Sequence, residues 1–171
     1  GGISSTYSRL SILRADYQSA KELADKAWQL AQVLRYELDL IKAARFQGRA
    51  ALQLNDFDTS KERLNYALVR VKAVQLLEEE IEILLDLTEL HRCENEIELA
   101  RERLEEIKSP LEQGPYRLLH ADALNILAQI EIDCGNCQAA ISAATEAYEK
   151  AWCDGPPYAY HWGLKKAEGL L

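Results

Sequence analysis

Cys134 and Cys137 stand as a C-x-x-C, a spacing that can hold two thiolates on one metal ion or cycle between dithiol and disulfide. A zinc site would need two further ligands, for which His91 and Cys93 are the candidates. Against this, Gly135 falls where a turn between two helices is expected, and Cys137 occupies a slot that elsewhere holds Tyr17 and Phe57. The expectation is therefore that Cys137 packs as a small hydrophobe and that the pair binds no metal. Metal or redox chemistry stands as a remote alternative. A second set is basic: Lys42, Arg45 and Arg49 at spacings of 3 and 4, which places all three on one helix face. A strip of that kind either attracts an acidic peptide or an acidic protein surface, or is an ordinary solvated face paired with acidic neighbours. A third set is aromatic. Tyr158, Tyr160 and Trp162 crowd a Gly155-Pro156-Pro157 turn, which reads either as a connector sealed by its rings or as an alternative binding surface. His161 has no evident carboxylate or nucleophile partner, and no phosphate-binding G-x-x-x-x-G-K-[ST] loop is present. These sets point to binding rather than catalysis, with no cofactor.

The residue totals agree. The 171 residues are 48% hydrophobic, enough to bury a core. A net charge of -8 disfavours nucleic acid, which needs a basic face. No apolar run is long enough for a membrane span. Four unevenly spaced cysteines do not make a disulfide scaffold in a chain of this size, so a reducing, cytoplasmic setting is expected. The Gly1-Gly2 opening and the lack of methionine read as an excised fragment of a larger protein.

What positions these side chains is a repeat. Ala20, Ser60, Ala100 and Ala140 recur every 40 residues. Three positions earlier stand Tyr17, Phe57, Ile97 and Cys137; four later, Ala24, Leu64, Leu104 and Ala144; seven later, Ala27, Ala67, Ile107 and Ala147. Those offsets mark one face of a helix. A second small set, Ser8, Gly48, Thr88 and Ala128, lets a neighbouring helix approach closely. Between the two helices stand Ala15, Asn55, Asn95 and Gly135. Asn and Gly best tolerate the left-handed backbone that ends a helix, and Asp16 and Asp56 can cap the helix that follows.

The predicted helices span 3–14, 17–34, 37–54, 57–74, 77–93, 96–108, 116–133, 137–152 and 158–171. Breaks fall at Ser109-Pro110, Gly114-Pro115 and Asp154-Gly155-Pro156-Pro157, whereas the joints near 35 and 75 carry no breaker. The reading is one domain over 1–171, with repeats at about 1–40, 41–80, 81–120 and 121–160 and a fifth opening at 161–171. Trp28 and Trp152 read as packing residues on second helices. The glutamates around 78–82 and 94–106 read as solvated faces.

The best copies, Ala15-Asp16-Tyr17-Gln18-Ser19-Ala20 and Gly135-Asn136-Cys137-Gln138-Ala139-Ala140, resemble the tetratricopeptide repeat family. Its usual period is about 34 residues, so longer helices or links are implied here. The resemblance implies an all-α, right-handed α-solenoid of antiparallel helix pairs, about four 40-residue repeats and a C-terminal helix. The segment from Ala151 to Leu164 further resembles repeat regions of large bacterial proteins, many with a STAND-type signalling NTPase upstream. In such solenoids first helices line an inner groove. Arg9, in register with Arg49, would join Lys42, Arg45 and Arg49 there, facing Glu82, Glu89 and Arg92, with Asn125 and Gln129 beyond. The implied role is protein or peptide binding, as a sensor or docking arm. The alternative is an intramolecular scaffold or oligomerisation segment. On this reading the double reversal of Arg45 and Arg49 to glutamate weakens partner binding and spares the fold.

Overall fold

In a helix pair the sharpest demand on the backbone falls at the turn. Asn55, Asn95 and Gly135 meet it with φ of 59°, 61° and 77°, the left-handed angles these residue types tolerate best. Asp16 and Asp56 then cap the helices that follow, each carboxylate accepting a backbone N–H three residues on, from Ser19 at 3.3 Å and Thr59 at 3.2 Å. The structure, a computed structural model, describes residues 16–171. The helix expected at 3–14, with Ser8, Arg9 and Ala15, lies outside the described residues.

Eight helices follow among the described residues, with no strand: α1 (Tyr17–Leu34), α2 (Glu37–Gln53), α3 (Phe57–Val74), α4 (Leu77–Cys93), α5 (Ile97–Gln113), α6 (Arg117–Asp133), α7 (Cys137–Trp152) and α8 (His161–Glu168). Their contacts gather into two compact units, one ending at Leu90 and one running from His91 to Leu171. Within the first unit α1 packs on α2 and α2 on α3; within the second α5 packs on α6, α6 on α7 and α7 on α8. The chain is thus an all-α repeat of the α-solenoid class.

The repeating small residues are what the helices pack on. Ala20, Ala100 and Ala140 are at most 2% exposed, and Ser60, their counterpart in the second repeat, is wholly buried. Along α1, Ala20, Ala24, Ala27 and Ala31 form one buried face. Ala20 and Ala24 meet Phe46 and Ala50 of α2, while Ala27 and Ala31 meet Ala43. Gly48, on the next helix, lets α3 come so close that a Cβ there would lie 2.7 Å from Leu64 Cγ. At Ser60 the alanine pattern is broken at a cost. Its hydroxyl is buried without a hydrogen-bond partner among the described residues, and such orphaned groups cost about 1–3 kcal/mol. Ser60→Ala should therefore raise stability by about 1 kcal/mol, seen as a higher denaturation midpoint with an unchanged slope; an unchanged or lower midpoint would show the hydroxyl to be satisfied.

Two helices differ by three residues or more from expectation, while those flanking the joints near 35 and 75 end at Leu34 and Val74 as expected. The helix expected to stop at 108 runs on to Gln113 with Pro110 inside it. Proline removes one N–H close to the helix end, and Leu111, 4% exposed, anchors the added turn in the core. The last helix begins at His161 rather than 158, because the chain is still turning at Tyr160, whose N–H donates to the Ala151 carbonyl at 2.7 Å. At the joints near 35 and 75, Arg35 and Gln75 adopt φ of 56° and 57° and donate their N–H groups to the carbonyls of Ala31 and Val71. Neither residue type favours that conformation, which is why the joints carry no visible signal.

Candidate functional site

The basic strip on α2 exists, but it is already occupied from within the molecule. Arg45 is buried; its Nε donates to Asp86 at 2.6 Å and its Nη1 to Glu82. Lys42 pairs with Glu79 at 3.3 Å, and Arg49 approaches Asp86 at 3.7 Å. All three acceptors lie on α4. The glutamates read as a solvated face are in part the strip's counter-charges, and Lys72 takes Glu80 in the same way. An open basic groove formed by Lys42, Arg45 and Arg49 is therefore corrected to a cross-helix charge ladder. Arg9, its fourth member, lies outside the described residues. The ladder was detectable from sequence as opposite charges one repeat apart, give or take one helical step: Arg45–Asp86 at a separation of 41 and Arg45–Glu82 at 37.

The other groove residues separate. Glu89 is half-buried on α4 in the first unit. In the second unit Arg92 donates to Asp133 at 2.6 Å, and Gln129 donates to the same carboxylate at 3.1 Å. Asn125 faces no groove. It is wholly buried and donates to the Gly163 carbonyl at 3.2 Å, fastening α6 to α8. Arg117, which the sequence did not single out, crosses to the end of α7, where its guanidinium donates to the carbonyls of Lys150, Glu149 and Cys153. A cation there suits the negative end of the helix.

The C-x-x-C spans a turn. Cys134 caps the end of α6, Gly135 and Asn136 follow, and Cys137 opens α7. Both thiols are exposed, which corrects the expectation that Cys137 is packed. Neither belongs to the set of side chains close enough to share an ion among the described residues, which is His91, Glu94 and Glu96, with ligand atoms within 4.8 Å of one another. Within that set His91 Nδ1 lies 2.6 Å from Glu96. One repeat on, Asn136 donates to Glu131 at 2.8 Å, across the same separation of five residues. The shared contact makes both pairs braces of the turn.

Glu131 is also held by Arg101 at 2.6 Å. The Arg101 hydrogen bond, followed by that of Asn136, keeps its carboxyl below the ordinary glutamate range. A depressed carboxylate pKa adds stability above the unfolded value and loses it as pH falls through the folded one. The second unit should therefore weaken below about pH 4.3. Glu131→Gln should flatten that acid dependence, as read from denaturation midpoints at a series of pH values; an unaltered slope would remove Glu131 from the account.

At the aromatic turn, Tyr160 is the anchor. Its hydroxyl donates to Asp122 at 3.1 Å, and its ring packs so tightly on Gly163 that a Cβ there would lie 2.5 Å from it. The other rings face outward: Tyr158 is 75% exposed, Trp162 40% and Trp152 43%. Trp152 is thus not the packing residue its helix position implied, although it stacks on Tyr148 with centroids 5.9 Å apart. Trp28 does pack, beside Ala27 and Ala31, with Tyr66 edge-on and the Arg63 guanidinium over its ring. Tyr158, Tyr160 and Trp162 thus form a fixed support carrying exposed aromatic surface.

Fold and register together define an α-helical repeat protein. No protein-family model and no curated protein sequence matches the chain. Among the described residues no helix is long and apolar enough to cross a membrane.

Proposed function

We propose that this chain is a partner-binding module that acts by docking a protein or peptide rather than by catalysis. The finer reading is a tetratricopeptide-like arm of a bacterial signalling protein of the STAND type, working in the cytoplasm. It rests on the resemblance of the repeat copies and of the segment from Ala151 to Leu164. The observation that carries the binding reading is the outward presentation of Tyr158 and Trp162 on a turn fixed by the Tyr160–Asp122 hydrogen bond. Large aromatics held rigidly at a surface lose little entropy on binding and dominate interface energetics. With the basic strip neutralised by α4, the aromatic turn takes precedence over the groove as the docking surface.

The test is affinity capture with the wild-type chain and with a Tyr158→Ser, Trp162→Ser double variant, compared at matched helical content and melting temperature. The variant should lose the captured partner. Retention of the same partner at the same strength would send the search back to the faces of the first helices. Loss of self-association in place of partner capture would favour the oligomerisation reading.

A further inference from the structure

The second unit keeps a cleft of about 420 Å³ between α5, α6 and α7, a volume within the range of small-molecule sites. It exists because α5 packs on α6 far less closely than α7 does. Its apolar wall includes Leu104, Leu124 and Leu127. The charges around it do not cancel. Of the two cations that line it, Arg101 is held by Glu131 at 2.6 Å and Lys108 by Glu105 at 3.8 Å. Glu112 and Glu146 also line it, are exposed, and have no ion-pair partner among the described residues. Both lie within electrostatic reach of His120, which burial and then the Lys150 ammonium hold below the usual histidine range; its ring is therefore neutral at neutral pH. Even counting Lys150, that end of the cleft sets two carboxylates against one ammonium.

We propose that this cleft binds a small amphipathic cation, its apolar body seated on Leu104, Leu124 and Leu127 and its single ammonium or guanidinium group held by Glu112 and Glu146. Apolar contact supplies the non-directional part of the affinity. The paired carboxylates select the sign of the charge, and a neutral His120 adds a hydrogen-bonding group without repelling the ligand. This site stands apart from the aromatic turn and does not depend on partner docking there.

Three probes with one shared body and different charges test it on the whole chain: para-butylbenzylamine, para-butylbenzyl alcohol and para-butylbenzoate. The amine should shift the amide resonances of Leu104, Leu124 and Leu127 and bind about tenfold more tightly than the alcohol, with the benzoate weakest. Glu112→Gln with Glu146→Gln should erase the amine's advantage and leave the alcohol's affinity unchanged. Both side chains are exposed, so the fold is not at risk. Equal affinities for the three probes, no shift at the cleft leucines at millimolar amine, or an undiminished preference in the double variant would each overturn the proposal.

Discussion

Arg45→Ala should cost about 3–5 kcal/mol of stability, the range for removing one partner of a buried ion pair. Arg45 and Asp86 are each 7% exposed and bonded at 2.6 Å, and Glu82 accepts from the same guanidinium. Truncation leaves the Asp86 carboxylate in the interior with only Arg49 among the described residues, at 3.7 Å and on the rim, to compensate. It also removes the guanidinium from the Phe46 ring, 5.6 Å away. Arg45→Glu should be worse, because it sets a third carboxylate beside two. This reverses the expectation from sequence that charge reversal at Arg45 and Arg49 spares the fold. Arg45→Met with Asp86→Leu should recover much of the loss, since apolar replacement of both partners avoids the desolvation cost of either charge. Chemical denaturation of the single and double variants measures all of this. A cost below about 1 kcal/mol for Arg45→Ala would place the pair with solvent-screened surface bridges.

Gly48→Val should cost about 1–3 kcal/mol, the usual penalty for overpacking. Glycine within a helix normally invites replacement, since alanine gains about 1 kcal/mol in helix propensity. Here the first added carbon would already lie 2.7 Å from Leu64 Cγ and 3.2 Å from the Leu64 backbone nitrogen. The branch atom and backbone of Leu64 can yield only by moving α3 away from α2. A double-mutant cycle isolates the clash. Leu64→Ala alone should cost about 2–5 kcal/mol as a cavity, yet Gly48→Val should be better tolerated in that background, because the added methyls then enter the vacated space. Strict additivity would mean that the helices separate freely and that the close approach is not a constraint.

These two sites show where sequence reading succeeds and where it stops. The small-residue register, the turns at Asn55, Asn95 and Gly135 and the caps at Asp16 and Asp56 were legible, because backbone geometry restricts the residue types allowed there. The joints at 35 and 75 were placed correctly, with helices ending at Leu34 and Val74, but the left-handed backbone of Arg35 and Gln75 was not legible, since nothing about an arginine or a glutamine announces it. Charge had a different difficulty. Lys42, Arg45 and Arg49 were correctly placed on one face, and Glu82 was set facing them, but the two sides were read as the walls of an open groove. Only the packing of the first unit brings Arg45 to Glu82 and Asp86 and so turns an apparent ligand site into a support. Tyr160 shows the same limit: it was grouped with Tyr158 and Trp162 by composition, and its bond to Asp122 of α6 sets it apart from the exposed rings beside it.

Because the helices within each unit pack chiefly on their neighbours in sequence among the described residues, the loops that must close during folding are short. Even the Arg45–Asp86 bond spans only 41 residues. Chain closure of this kind costs little entropy, and proteins dominated by such local contacts fold in microseconds to milliseconds. Helix pairs of this type can nucleate independently and grow by addition of the next pair. A chain emerging during synthesis can therefore bury each pair as it appears, without waiting for a distant segment to complete its core.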